Sequence, residues 1–347
     1  MTPTPERNFS HEEGNKKTFF IRNSGIIIKK MLDLELNFCN ISNYWMMLVD
    51  EALHSIFFLG AINEPPCSPQ EIVDNERLAE LKDRFPKPFT CYNSQIPKRC
   101  PMSCLLEMIV EDIGQENESK IKKEMRLICN ELMSDHKMKI LSSFTICVCQ
   151  KDLNDPNSVR YYGISMSTFS GISGKIMVAA SCLATWHSNV ADAVMTCILR
   201  EEQEQLHGTI TIEEQGEPKM SYFDGTIQLP LNVRCQAYKI SNGDELSPCV
   251  SCVEMFKFNI PGKGNSSYGN CAEVGSLSNL LKHEEHFKNE VQQISPTCTP
   301  SNRERAKTDV MKLLKDLLGK IKNRFKWDDK FYTPENHYPL VNGENSE

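Results

Sequence analysis

The sequence lacks an apolar run long enough to cross a membrane as one helix. The best candidate, 45–62, is interrupted by Asp50, Glu51 and His54, whereas a spanning helix needs about 20 mostly apolar residues. We interpret this segment as a buried amphipathic helix and expect no transmembrane segment. The polar stretch after Met1 also lacks the apolar centre of a secretory signal, so we expect a cytoplasmic or nuclear protein.

The chain also lacks an excess of positive charge. Its formal net charge is −7 over 347 residues, which argues against binding nucleic acid through a generally basic surface. The segment 303–327 is a local exception, with nine basic and three acidic residues and apolar residues at helical spacing. It predicts a basic amphipathic helix with three open roles: packing on the main domain, binding an anionic membrane or nucleic acid, or binding a protein partner.

A disulfide framework is not indicated, although cysteine is abundant. The 15 cysteines are scattered and odd in number, in a chain far longer than a typical disulfide scaffold. We interpret most of them as reduced thiols, some buried as small apolar side chains and a few able to bind metal. Cys147 and Cys149 fall on one face of an expected strand, where we expect them to serve in the core.

The residue patterning divides the chain into four parts. The polar start, 1–42, is expected to be mostly disordered. Apolar residues at steps of three and four predict a helical region at 43–136. Strand-like runs alternate with helical patterns over 137–292, which predicts an α/β domain. The end, 293–347, combines a linker, the basic amphipathic helix and a tail.

Individual elements can be predicted within these parts. Helices are expected at 118–133 and 189–204, after Pro248, and from about Cys271. Turn residues between the first two strand-like runs predict a hairpin. The expected strands are rich in β-branched and aromatic residues and lie at 140–148, 159–168, 208–213 and 227–239.

The segment with the clearest chemistry begins with Pro248-Cys249-Val250-Ser251-Cys252. The two thiols are separated by two residues, a spacing that lets both reach one tetrahedral ion at about 2.3 Å. Pro248 is suited to the first turn of a helix, and a helix N-terminus stabilises thiolates. Further along comes Gly269-Asn270-Cys271-Ala272-Glu273, followed by a helical pattern.

These two motifs resemble those of the zinc-dependent nucleobase (cytidine) deaminases. That family pairs a (His/Cys)-Ala-Glu motif with Pro-Cys-x-x-Cys, each at the start of a helix. A cysteine in the first motif is similar to the free-cytidine deaminases and to toxin-type deaminases, of which the YwqJ-like group is closest. The two motifs occur here in the reverse of the family's order.

The resemblance implies a fold, a site and a reaction. The fold would be a three-layer α/β domain with a mixed sheet, with the helical N-terminal region and the C-terminal helix added. Cys249, Cys252 and Cys271 would bind Zn²⁺, and Glu273 would be the catalytic acid and base. The substrate would be a nucleobase in a nucleoside, a nucleotide or single-stranded nucleic acid.

Two other interpretations remain open. The chain could be a catalytically inactive, deaminase-like interaction protein that zinc stabilises, in which case a fourth ligand such as Cys298 or His283 would close the site. The cysteines could also be buried thiols without a metal.

Overall fold

The computed structural model describes residues 6–36, 42–133, 139–207, 223–284, 287, 290–321 and 325–335. The N-terminal half of the chain is helical. Its elements are α1 (Glu6–Leu36), α2 (Asn43–Ala61), α3 (Pro69–Ile72), α4 (Asn75–Arg84), α5 (Pro86–Cys91), α6 (Pro101–Ile113) and α7 (Glu118–Met133).

Strands and helices alternate in the remainder of the described chain. In order these are β1 (Thr145–Gln150), β2 (Arg160–Ile164), α8 (Gly171–Ala184), α9 (Ser188–His207), β3 (Ile227–Gln228), β4 (Arg234–Lys239), β5 (Glu245–Leu246), α10 (Val250–Phe256), α11 (Ala272–His283), β6 (Gln292–Gln293) and α12 (Pro300–Gly319). The expected combination of helix and sheet is confirmed. The strand expected at 208–213 lies outside the described residues.

Helix α1 corrects the expectation that 1–42 is mostly disordered. Phe20, Ile27 and Met31 lie on this helix and are completely buried, packed in contact with α2, α3 and α6. Their spacing of seven and four residues places them on one helical face. The polar composition of the first residues obscured this apolar stripe. The expectation is untested for 1–5 and 37–41, which lie outside the described residues.

Helix α2 is buried, as the sequence predicted for 45–62, and it contacts α1, α3, α5 and α6. Ser42 caps its N-terminus by accepting a hydrogen bond from the backbone N–H of Trp45. Its charged residue Glu51 is buried and pairs with Arg99, which offsets the cost of removing both from water. In the described ranges, no helix combines the length and the apolar character that crossing a membrane requires.

Helix α7 follows the predicted bounds, 118–133. Its buried residues recur at steps of three and four, as an amphipathic helix requires. They are Ile121, Met125, Ile128, Cys129 and Leu132. One cluster of buried apolar side chains includes this face, the helices before it, the sheet and α12.

The main sheet has the strand order β2-β1-β4-β5, and every neighbouring pair is antiparallel. The predicted hairpin is present as β1 and β2, although both strands are shorter than expected. The expected strand 227–239 is divided into β3 and β4 by a turn after Pro230, a residue that cannot donate a ladder hydrogen bond. The expected mixture of strand directions is not found among these strands, because hairpins connect β1 to β2 and β4 to β5.

Helices cover both faces of this sheet. On one face α11 packs on β1, β2 and β4. Gly163 of β2 permits this approach, because a Cβ there would lie 2.3 Å from the carbonyl oxygen of Ala272 and the nitrogen of Ser276. On the other face, the Tyr162 hydroxyl donates to the Gln115 carbonyl between α6 and α7. The sheet is therefore the middle of three layers.

The basic C-terminal helix packs on the protein, in agreement with the first of its three open roles. Val310, Leu314 and Leu317 are buried against α8 and α9. Helix α12 ends at Gly319, earlier than the expected 327, since glycine is a weak helix former. The chain then returns to the helical region, where Tyr332 is fully buried.

Candidate metal centre

The three cysteines of the two motifs converge. Cys249 is the N-cap of α10, Cys252 lies in the first turn of that helix, and Cys271 is the N-cap of α11. Their Sγ atoms all lie within 4.8 Å of one another. We call these three residues the α10–α11 cysteine group. The predicted ligands therefore come together, and they could hold a metal ion.

The loop between the two helices folds back to make this convergence possible. The backbone N–H of Val250 donates to Gly264 at 3.0 Å, and that of Lys263 donates to Pro248 at 2.9 Å. Immediately before the second motif, Gly269 has a φ of 82°, a conformation that suits glycine. A Cβ at Gly269 would also lie 2.5 Å from the Val178 side chain. This glycine is therefore required for the turn into Cys271.

The three thiols share hydrogen bonds. The Sγ atoms of Cys249 and Cys271 are 3.2 Å apart, and the backbone N–H of Cys252 donates to the Cys249 sulfur at 3.4 Å. Hydrogen bonds from the Cys252 and Cys271 thiols lower the pKa of Cys249 to about 2. Hydrogen bonding to the Cys249 sulfur raises the pKa of Cys252 and of Cys271. The group thus contains one stabilised thiolate, which is the form that binds metals.

Glu273 lies in the first turn of α11, beside the α10–α11 cysteine group. Only 4% of the residue is exposed. Burial raises its pKa to about 8, and the neighbouring Cys147 and Cys249 act in the same direction. Its carboxylate is not a member of the group of mutually close ligand atoms among the described residues. The geometry therefore places a buried carboxyl near the three sulfurs without making it a fourth ligand.

Neither of the two candidate fourth ligands belongs to this group. The Cys298 sulfur accepts a hydrogen bond from Arg303 at 3.9 Å. The His283 ring stacks on Tyr161, and its Nδ1 lies 2.8 Å from the Asn279 carbonyl oxygen. In the described part of the chain, the α10–α11 cysteine group thus has three ligands.

A second cysteine group lies under α11 and was missed by the sequence analysis. Cys147 and Cys149 are buried, as expected, but their Sγ atoms lie within 4.8 Å of the Cys235 Sγ. This group could also hold a metal ion. The alternation along β1 indicated a shared face for the first two residues. No local pattern indicated that β4 would pair with β1 and add Cys235.

A small cavity of about 140 Å³ adjoins the second motif. Its lining includes Thr168, Lys175, Tyr268 and Asn270, the residue directly before Cys271. The side-chain Oδ1 of Asn270 is buried and has no hydrogen-bond partner among the described residues. A buried acceptor of this kind is costly unless something donates to it. The cavity therefore offers a hydrogen-bonding position for a ligand.

A larger cavity of about 630 Å³ lies elsewhere. Its lining includes Lys87, Lys98 and Lys330, and it shares no residue with the α10–α11 cysteine group. We regard the smaller cavity as the candidate substrate site, because Asn270 in its lining directly precedes Cys271, although the three cysteines and Glu273 are not among its lining residues.

Comparison with family models finds no match to this chain, and no curated protein or solved structure matches it. The geometry of the site and its two motifs are therefore the basis for assigning a function.

Proposed function

We propose that this protein is a zinc-dependent hydrolytic deaminase that acts on a nucleobase. The observation that carries the proposal is the convergence of Cys249, Cys252 and Cys271 at the first turns of two helices. Buried Glu273 lies next to them. These are the components that a deaminase of this class requires.

The donor set fits zinc. Three thiolates are suitable ligands for Zn²⁺, and three protein ligands with an open position are typical of catalytic rather than structural zinc sites. The stabilised thiolate of Cys249 and the helix N-termini beneath Cys249 and Cys271 favour binding of a cation by sulfur. When bound, zinc would supply Lewis-acid activation of water at near-neutral pH.

Glu273 would transfer protons during the reaction. A carboxylate beside the reacting centre can take a proton from the attacking water and deliver it to the departing amine. Burial holds its pKa at about 8, close to the pH at which such a group exchanges protons efficiently. Its place in the first turn of α11 fixes it relative to Cys271, because both belong to one helical segment.

The cavity supports a small, flat substrate. A cavity of about 150 Å³ accommodates benzene, so about 140 Å³ has room for a single-ring base. The Asn270 Oδ1 could accept a hydrogen bond from an amino or ring N–H group of that base. The lining also contains Glu201 and Glu202, of which Glu202 pairs with Lys175 at 2.8 Å. This acidic rim favours an uncharged nucleoside over a nucleotide or a nucleic acid strand.

The three-layer arrangement supports the finer assignment to a cytidine deaminase-like fold, whereas the uniformly antiparallel strands of the main sheet do not. Strand β1 is antiparallel to both of its neighbours, and α11 packs on one face while α6 and α7 lie near the other. The reversed order of the motifs is compatible with this arrangement, because a metal site depends on where its ligands lie in space. The N-termini of α10 and α11 meet despite that order.

The alternative is an inactive, zinc-stabilised interaction protein. A structural zinc site is closed by a fourth ligand, and the described residues supply only three at this position. The geometry thus favours the catalytic proposal.

Ammonia release tests the proposed reaction. Purified protein is incubated with cytidine, deoxycytidine, adenosine, guanine and single-stranded DNA, and ammonia is measured. We expect release from a single-ring nucleoside, reduced at least 100-fold by Glu273→Ala. Glu284→Ala, at the other end of α11, is the matched control and should retain the activity. Activity that persists in Glu273→Ala would contradict the assigned role, and inactivity on all substrates would favour the inactive alternative.

A further inference from the structure

The second cysteine group has the geometry of a binding site formed by two strands. Cys147 and Cys149 are two residues apart on β1 and point to the same face. Cys235 lies directly opposite Cys149 on β4. Its Sγ is 3.1 Å from the sulfur of Cys149 and 3.6 Å from that of Cys147. We call these three residues the sheet cysteine group.

This arrangement is not a simple consequence of abundant cysteine. Other buried cysteines of the described chain, including Cys129, Cys182 and Cys197, belong to no such group. Isolated thiols of that kind behave as small apolar side chains. Three sulfurs around one point instead form a set of soft ligands.

The sheet cysteine group is covered on one side by α11, while Cys235 is half-buried and lines a cavity of about 440 Å³. Cys147 and Cys149 are fully buried beneath α11. The hydroxyl of Ser276, on the first turns of α11, lies 3.1 Å from the Cys149 sulfur. The Cys149 thiol donates a hydrogen bond to the Cys235 sulfur and to the Ser276 hydroxyl.

We propose that Cys147, Cys149 and Cys235 form a second metal site, for a thiophilic ion that accepts three sulfur ligands, and that Cu(I) is the ion that fits best. Soft thiolates select Cu(I), zinc or iron–sulfur clusters. Structural zinc is almost always four-coordinate, and iron–sulfur clusters use four cysteines. Three sulfurs, two of them on fully buried cysteines, match an ion that is satisfied by three ligands.

Binding at this site releases the thiol protons, because the ligands must be deprotonated. The bound ion would join β1 to β4 directly beneath α11, the helix that carries Glu273 and starts at Cys271. The sheet cysteine group would then support the layer on which the α10–α11 cysteine group is built. The proposal is independent of the deaminase reaction, since it requires neither zinc nor activity at the other group.

Anaerobic titration with Cu(I) tests this proposal. Reduced, metal-free full-length chain is titrated against a chromophoric Cu(I) chelator, and the bound equivalents are counted. Because the α10–α11 cysteine group can also take Cu(I), the informative quantity is the difference between variants. We expect Cys235→Ala and Cys149→Ala each to bind one equivalent less than wild type.

Cys129→Ala is the matched control, because Cys129 is a buried thiol outside both groups, and it should keep the wild-type count. Circular dichroism checks that each variant is folded. Because two variants of the sheet cysteine group are measured, the test does not depend on either one alone. An unchanged Cu(I) count in both folded variants would overturn the proposal. A loss shared by Cys129→Ala would overturn it too.

Discussion

Cys249 and Cys271 are separated by 22 positions in the chain, yet their Sγ atoms lie 3.2 Å apart. Each is the N-cap of a helix, so the partial positive charge at two helix N-termini is directed at one small volume. Because the two helices begin at the same place, their N-cap cysteines can bind one metal ion together. This proximity is also the feature that reversal of the motif order leaves intact.

The ion pairs of Glu118 make a testable contribution to stability. Both guanidinium nitrogens of Arg234 donate to its carboxylate, at 2.8 and 2.9 Å. Burial opposes the charge on Glu118, but hydrogen bonds from Arg234 and Lys122 outweigh it and lower its pKa to about 2. Since this folded-state pKa is below the unfolded value, the stabilisation is present above about pH 4.5 and is lost as the pH falls towards 2.

We expect Glu118→Gln to lower the free energy of unfolding by about 1–2 kcal/mol at pH 7, a value reduced for partial exposure of the ion pairs. Urea unfolding at pH 7 and pH 3 measures the difference, which should shrink at the lower pH. The exposed Glu111→Gln on the neighbouring helix α6 is the control and should have little effect. An equal loss of stability at both pH values would show that the charge is not the cause.

The burial of His54 predicts a second pH dependence of the free energy of unfolding, at higher pH than that of Glu118. The His54 ring is fully buried and stacks on Tyr332 with the ring centroids 3.6 Å apart. Burial lowers the pKa of His54 to about 3, whereas the unfolded chain takes up that proton near pH 6.5. Burial of the neutral His54 ring therefore costs no stability above about pH 6.5. As the pH falls from 6.5 towards 3, the free energy of unfolding decreases by about 1.4 kcal/mol per pH unit.

His54→Phe keeps the aromatic stacking on Tyr332 and removes the titrating group. We expect it to flatten the dependence of the unfolding free energy on pH between 6.5 and 4.5, measured by urea titration. His283→Phe replaces an exposed histidine and should leave that dependence unchanged. A pH slope that survives in His54→Phe would assign the effect to another residue.

The packing of α12 predicts that its apolar face is part of the core. Leu314 is completely buried, so Leu314→Ala should lower the free energy of unfolding by about 2–5 kcal/mol. Lys312, on the exposed face of the same helix, provides the control, and Lys312→Ala should change stability by less than about 0.5 kcal/mol. Equal stability of the two variants would indicate that this helix does not depend on packing and would reopen the membrane and partner roles.

The sequence predicted the elements that are determined by residues close together in the chain, such as helix faces and helix starts. The face of α7 follows from apolar residues at steps of three and four, and the starts of α10 and α11 follow from their caps and motifs. The stripe from Phe20 to Met31 was missed because the polar residues before it dominated the composition. Cys235 was missed for a different reason. Its partner is 86 positions away, and strand pairing over that distance leaves no local signal.

Zinc content per chain distinguishes a metal centre at the α10–α11 cysteine group from three buried thiols. Elemental analysis compares wild type with Cys249→Ser, Cys271→Ser and Glu273→Ala, and Cys182→Ser serves as a buried cysteine outside both groups. We expect one zinc per chain that requires both Cys249 and Cys271 but is retained in Glu273→Ala and in the control. A protein without zinc, or one whose zinc is indifferent to Cys271, would contradict the α10–α11 metal centre and with it the proposed deaminase.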